Sequence, residues 1–478
     1  MSRYSISSVS ATALIASSGI AAQIEGVDRD ITGMTQDSRS VQAGDLYCCI
    51  QGEKFDGHQF ALQAVADGAV AVLVDTPVSG LPESVAVITV PNVRAAVGHI
   101  ASAAFGFPSR LLTMVGITGT NGKTSTAAMV ASILRAAGHT TEVMGTLSGV
   151  RTTPEAIDLQ AALRQHVESG VTHVVMEVSS HALDQCRVSG VMYDVAIFTN
   201  ISRDHLDYHK TEEAYFAAKA QLFTPELSRH GVMNSDDPHG RLLLDVAPIP
   251  MTAFSLSDAS DATVRVDSVS CIWRGMNISV PMGGGFTLIN VLGAMTACDV
   301  LGVSSEAIVE GCAQLGQIPG RFESVSNDSG IGVVVDYAHT PDGLREVISS
   351  ARAICSGRVI IVFGCGGDRD AGKRPLMGHA ADEADLLFVT SDNPRSEDPM
   401  SIINAVLAGV TKSSEAVYTE ADRALAIASA ISVAERGDIV VIAGKGHEAT
   451  QEVAGVHHPF NDVDVAKSAL SHKKGSQL

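Results

Sequence analysis

Apolar residues in this chain fall mainly into short unbroken runs. They occupy residues 69–74, 85–90, 111–115, 174–177, 332–336, 358–363, 385–390 and 438–442. Each run is strand length, rich in Val, Ile and Leu, and bounded by turn-forming or polar residues, which predicts strands buried on both faces. Helix-period segments lie between them. One carries Met129, Val130, Ile133 and Leu134 and closes at Gly138; another spans residues 212–223 with Tyr215, Ala218, Leu222 and Phe223 as its apolar stripe. Buried strands alternating with helices predict an α/β chain with parallel sheets, whose ligands gather at strand C-termini. The polar tail beyond residue 469 is expected to fray.

The run at 111–115 leads into Gly116-Ile117-Thr118-Gly119-Thr120-Asn121-Gly122-Lys123-Thr124-Ser125 and then into the first of those helices. Strand, glycine loop and helix in this order can turn backbone N–H groups toward a polyphosphate. Lys123 is then expected against the β- and γ-phosphates of ATP, with the Thr124 hydroxyl on Mg²⁺. The strict phosphate-loop pattern asks for glycine where Ile117 stands; the shorter core from Gly119 to Thr124 remains.

A chain of 478 residues exceeds one ordinary core, so several domains are expected. Breaks at Phe107-Pro108 and Pro319-Gly320-Arg321 divide it into residues 1–108, 109–321 and 322–478. The fold expected is α/β in three domains: a central P-loop ATPase-type parallel or mixed sheet, and a C-terminal Rossmann-like doubly wound sheet. Composition agrees, with 45% hydrophobic and only 4% aromatic residues. The formal charge of −20 disfavours nucleic acid as a partner. Eight scattered cysteines without a C-x-x-C pair argue against a zinc site or disulfide framework. With no membrane-length apolar run and no secretory pattern, a cytoplasmic protein is expected.

Several polar clusters sit where chemistry is expected. Glu177 ends a buried strand and suits Mg²⁺ beside a phosphate loop. Asp204, His205, Asp207 and His209 crowd one loop. Lys219 falls on the inward face of its helix, four residues from both Tyr215 and Phe223; a buried ammonium there needs an acidic partner or a chemical change. In the third region four strand ends carry Asp336 with His339, Gly364 to Arg369, Asp392-Asn393-Pro394-Arg395, and Gly444 to Glu448. They suggest one ligand crevice facing the nucleotide loop.

Taken together, the motifs resemble the Mur ligase family, ATP-dependent amino-acid ligases of bacterial cell-wall precursor synthesis. The resemblance rests on residues 119–124, 176–181, 200–205, 319–321, 336–339 and 393–395 and covers nearly the whole chain. It implies domains for UDP-sugar (1–108), ATP (109–321) and incoming amino acid (322–478). Their order and spacing are most similar to the branch adding the third peptide residue, meso-diaminopimelate, to UDP-N-acetylmuramoyl-L-alanyl-D-glutamate through an acyl phosphate.

By that resemblance, Gly119, Thr120, Asn121, Gly122, Lys123, Thr124, Ser125, Asn290, Arg321, Asp336 and His339 hold ATP. Ser38 and the turn at 53–55, with Thr152, Thr153, Ser179, Gln185 and Arg187, hold the UDP-muramoyl dipeptide. Arg369, Asp392, Asn393, Pro394, Arg395, Gly444 and Glu448 hold diaminopimelate. Lys123, Glu177, His205 and Lys219 are the catalytic expectations. Thr124, Glu177, His205 and a carbamylated Lys219 are the Mg²⁺ expectations. Arg151 departs from an asparagine that some members of the family carry there, and Thr287 from one that is common three residues before the position of Asn290. Small-molecule substrates and a monomer are expected. The rival readings are a lysine-adding ligase, a folylpolyglutamate synthetase, and an ATPase switch.

Overall fold

The computed structural model describes residues 3–52, 55–149 and 151–475. Three six-stranded sheets carry the fold. In the first, Asp30–Thr35, Asp45–Cys48, Ala71–Val74 and Ala86–Thr89 run parallel, with Tyr4–Ser10 and Gln23–Glu25 antiparallel at the edges. The second is parallel throughout, in the order Met251–Phe254, Gly231–Asn234, Val195–Phe198, Thr113–Thr118, His173–Glu177, Thr141–Met144. The third runs Glu323–Ser324, Gly332–Asp336, Ile439–Ala443, Val359–Phe363, Leu386–Thr390, Val417–Glu420, and only its first strand is antiparallel.

The unbroken apolar runs follow from double burial. In the central sheet Val115 and Ile117 face one core with Val130, Ile133 and Leu134, while Met114 faces another with Leu159, Leu163 and Phe198. The third sheet behaves alike: Ile361 and Val441 turn to one side, Ile360 and Val440 to the other. One of these cores is continuous from the central sheet into the third through Leu315, Ile318 and Phe322. The junction around Pro319 is therefore packed rather than free.

Four details differ from the sequence expectation. The strand before the glycine loop is Thr113–Thr118, so Gly116, Ile117 and Thr118 belong to the sheet and the loop starts at Gly119. The helix at 212–223 is α-helical only over Glu212–Ala220 and ends in the 3₁₀ turn Gln221–Phe223. An antiparallel sheet of Ala259–Val264, Val269–Trp273 and Met276–Val280 lies where no strand was expected, because its apolar residues alternate. The polar tail is helical over Asp462–Gly475; Lys473 Nζ donates to the carbonyls of Ile431 and Ser432 at 2.8 and 2.9 Å, tying that helix down. No helix among the described residues is long and apolar enough to cross a membrane.

Candidate active site

The glycine loop turns sharply into the helix Lys123–Ala136. Gly122 has φ +85°, and a side-chain carbon there would strike Asn290 Oδ1; only glycine meets both demands. The neighbouring strand end braces the loop: Thr120 N donates to Asn200 O and Asn121 N to Asn200 Oδ1, each at 2.9 Å. Lys123 Nζ folds back onto the carbonyls of Gly119 and Thr120 at 2.9 and 2.8 Å. Burial lowers its pKa, while Glu177 and Asp204 oppose the shift.

Thr124 Oγ1 donates to Glu177 Oε2 at 3.0 Å and accepts from Arg321 Nη2 at 3.0 Å. Glu177 also accepts from Thr146 N at 2.9 Å and Thr146 Oγ1 at 3.1 Å. A hydroxyl and a carboxylate side by side are the hard oxygen donors Mg²⁺ takes, with nucleotide phosphates completing its shell. Among the described residues no three His, Cys, Asp or Glu are grouped to hold a metal.

Lys219 is buried, as its helix position requires, and Nζ donates to Gly119 O at 2.7 Å. It stands 4.4 Å from the centre of the Tyr215 ring. Burial, then the nearby Lys123, press its pKa well below the ordinary lysine value. It lies behind the loop and is not among the residues lining the cavity in front. His205 does line that cavity. Burial lowers its pKa to about 4, against the opposing pull of Asp204.

That cavity, about 240 Å³, is lined by residues 120–125 together with Thr146, Thr152, Glu177, Ser179, Asp204, His205, Asn290, Arg321, Asp336 and His339. Asp336 accepts from the backbone N–H groups of Phe322 and Ala338 at 2.8 Å each; burial raises its pKa and Arg321 opposes this. Burial lowers the pKa of His339, whose Nδ1 lies 2.9 Å from Tyr337 O. A second cavity of about 650 Å³ holds Arg369, Asp392, Asn393, Arg395, Gly444 and Glu448. The two cavities share Asp204, His205, Tyr337 and His339.

The expected peptide-binding residues form one connected network. Thr153 Oγ1 donates to Glu177 O at 2.9 Å and accepts from Ser179 N at 3.0 Å. Arg187 donates to Gln185 Oε1 from Nε and Nη2 at 3.1 and 2.6 Å, and from Nη1 to Thr153 O at 3.3 Å. Thr152 joins through Thr146, their hydroxyls 3.2 Å apart. Three members were not anticipated: the linking Thr146; Glu155, which pairs with Arg187 at 3.1 Å and also with Arg151; and Tyr208, whose hydroxyl accepts from Gln185 Nε2 at 3.1 Å. Glu155 stands two residues past Thr153 in the sequence, a signal that was available.

Some expected residues lie apart. Ser38 opens the 3₁₀ turn Ser38–Ser40, between the strands Asp30–Thr35 and Asp45–Cys48, and lines neither cavity. At the turn 53–55, residues 53 and 54 lie outside the described residues, and Phe55 is exposed. Pro394 is buried, with its carbonyl against Gly367.

Glu448 and Arg395 already have partners. Glu448 Oε2 accepts from Lys445 Nζ and Asn393 Nδ2, each at 2.8 Å. Arg395 Nη1 donates to Gly367 O at 2.6 Å, and Nε lies 3.2 Å from Glu452 Oε2. Glu452 was missed, since it lies outside the polar clusters recognised in the sequence; Lys445 falls within the cluster 444–448 but was given no separate role. Arg369 is exposed at the cavity rim.

Three family models match the chain: the Mur ligase family catalytic domain over residues 30–105, the Mur ligase middle domain over 117–298, and the Mur ligase glutamate ligase domain over 320–446. The chain is 43% identical over 469 residues to a UDP-N-acetylmuramoyl-L-alanyl-D-glutamate–2,6-diaminopimelate ligase of Gloeobacter violaceus, covering 94% of this chain and 95% of that protein. It is 41% identical to an enzyme of the same name from Geobacter metallireducens, over 92% of this chain and 94% of that one. A solved structure of such a ligase superposes with TM-score 0.67 at 34% identity, covering 93% of this chain and 96% of that one. MurF from Acinetobacter baumannii shares the fold, with TM-score 0.66 at 18% identity over 98% of this chain and all of its own.

Proposed function

Because this chain belongs to the Mur ligase family, we propose that it is an ATP-dependent ligase adding meso-diaminopimelate to UDP-N-acetylmuramoyl-L-alanyl-D-glutamate in peptidoglycan precursor synthesis. The observation that carries the reading is the junction of the two cavities at Asp204, His205, Tyr337 and His339. A phosphate-loop pocket opening into a pocket of acids and arginines is what acid activation followed by amine capture requires. The names of the relatives favour diaminopimelate over lysine as the amino acid.

The chemistry divides into two steps. The free D-glutamate carboxylate attacks the γ-phosphorus of ATP, forming an acyl phosphate and releasing ADP. The amine of diaminopimelate then attacks the acyl carbon, phosphate leaves, and an amide remains. Direct condensation is blocked because a carboxylate has no competent leaving group; the acyl phosphate supplies one. The first step depends mainly on positioning and charge neutralisation.

Lys123 unfolds from the loop carbonyls to meet the β- and γ-phosphates, and Arg321 lies close enough to Thr124 to reach the same charge. Thr124, Glu177, His205 and a carbamate on Lys219 would hold Mg²⁺, which supplies positive charge to the phosphates when bound. Asn290 and His339 line the same cavity and are read as further ATP contacts. The network of Thr152, Thr153, Ser179, Gln185 and Arg187 orients the glutamyl carboxylate. Arg395 and Arg369 take the distal carboxylate of diaminopimelate, where a paired guanidinium gives bidentate recognition. Asp392 and Glu448 face its ammonium. We read the enzyme as cytoplasmic, where ATP and UDP-sugars are available.

The test is phosphate release from ATP by purified protein with UDP-muramoyl dipeptide and diaminopimelate supplied together, singly or not at all. Release requiring both supports the ligase. Release with neither identifies an ATPase switch, equal release with lysine the lysine-adding ligase, and release with a folyl substrate the folylpolyglutamate synthetase.

A further inference from the structure

Arg423 and Asp462 pair with both side chains at 0% exposure. Nε and Nη2 of the arginine donate to Oδ1 and Oδ2 of the aspartate at 2.7 and 2.8 Å. Arg423 begins the helix Arg423–Val433 and Asp462 begins the helix Asp462–Gly475. A buried ion pair is an expensive way to join two helices, because desolvation offsets much of the attraction and apolar replacements often stabilise as well. Its other contacts suggest a different purpose.

The same guanidinium reaches two strand ends. Nη2 donates to Ala443 O at 2.9 Å, and Nη1 reaches Ser391 O at 3.5 Å. Those carbonyls immediately precede Gly444 and Asp392, the first residues of two loops lining the larger cavity. The loops meet closely: Gly444 has φ +111°, and a side-chain carbon there would lie 2.8 Å from Asp392 Oδ2. Charge follows the same plan. Burial raises the pKa of Asp392, and Arg423, then Lys445, oppose it. Lys445, also at 0% side-chain exposure, bonds Glu448. Two buried cations thus underlie Asp392 and Glu448, two of the acids that line the cavity.

We propose that Arg423, anchored by Asp462, is a positioning residue for the amino-acid pocket, fixing the loop of Asp392 against the loop of Gly444 to Glu448. This rests on reading that cavity as the amino-acid site. The clamp sets the spacing between the two acids that meet the incoming ammonium, and leaves the nucleotide pocket alone.

Two variants test it. Arg423→Lys keeps the charge and loses the fork; Asp462→Asn keeps the guanidinium and weakens its anchor. For each, KM for diaminopimelate, KM for ATP, kcat and the melting temperature are measured beside the wild type. A misplacement of the loops raises KM for diaminopimelate by about 10-fold or more, while KM for ATP stays within about twofold. Unchanged KM for diaminopimelate in a variant that melts like wild type overturns the proposal. Parallel shifts of both KM values with a lowered melting temperature, or loss of folding in both variants, also overturn it, because the pair is then structural only. Should wild type prefer another amino acid, the same split is read with that substrate, so failure of the pocket's assignment stays distinct from failure of the clamp.

Discussion

Lys123 and Lys219 donate to the same acceptor, the carbonyl oxygen of Gly119, at 2.9 and 2.7 Å. Two amines converge on one carbonyl of a loop read as the phosphate cradle, and neither donates to a carboxylate there. The arrangement penalises two ammonium charges, and Lys219 bears more of the cost. A neutral amine is nucleophilic toward CO₂: a nitrogen–carbon bond forms, a proton leaves, and an anion replaces a cation beside Lys123.

The first prediction is therefore a carbamate on Lys219. Protein equilibrated with ¹³C-bicarbonate is expected to show a carbamate carbonyl resonance that Lys219→Arg lacks. The variant's kcat falls by about 10²–10³-fold, as for removal of one preorganised electrostatic group. An unchanged spectrum and rate in Lys219→Arg would remove the modification from the mechanism.

Glu177 offers a second test. Its carboxylate accepts from the hydroxyls of Thr124 and Thr146 and from Thr146 N. Glu177→Gln keeps the shape but loses the charge needed for a hard cation. The Mg²⁺ concentration for half-maximal activity is expected to rise by about 10-fold or more, with the melting temperature little changed. A Mg²⁺ titration superimposable on wild type would contradict the assignment.

Arg395 is held in place by Glu452 and Gly367, so its guanidinium is oriented before any ligand arrives. Arg395→Ala is expected to lower kcat/KM for diaminopimelate by about 10²–10⁴-fold, because a buried carboxylate loses its partner. KM for ATP should hardly move. Competition between diaminopimelate and lysine in one reaction gives the selectivity directly.

Glu346 supplies a pH prediction. It lines the nucleotide cavity, and burial, with Asp336 and Asp342 adding, raises its pKa to about 7. A carboxyl whose folded-state pKa lies above its unfolded value favours the folded state at low pH. That contribution is lost as pH rises through the folded value. Glu346→Gln should therefore gain stability relative to wild type between pH 5 and pH 8, by about 2 °C or more at the upper end. Melting curves at both pH values check this; a gain that is the same at both would refute it.

The chain's apolar runs made the parallel sheets legible, since strands covered on both faces leave an unmistakable pattern, as Val359–Phe363 and Ile439–Ala443 do. The glycine loop was legible because Gly122 must turn where Asn290 crowds it. The inward position of Lys219 followed from helical spacing alone. Less could be read where geometry joins distant segments. Arg423 looks like an ordinary surface charge until the fold places it beside Asp392 and Asp462. The antiparallel strands from Ala259 to Val280 alternate apolar and polar residues, a weaker signal than an unbroken run. The boundary of the glycine loop was misjudged because Gly116 and Thr118 resemble turn residues, yet Gly116 pairs with neighbouring strands on both sides and Thr118 with one.

The central claim is that ATP converts the bound glutamyl carboxylate into an acyl phosphate before the amine attacks. UDP-muramoyl dipeptide carrying ¹⁸O in that carboxylate, turned over with ATP and diaminopimelate, tests it through mass analysis of the released phosphate. The account predicts one carboxylate oxygen transferred to each inorganic phosphate formed; amide product accompanied by unlabelled phosphate would contradict it.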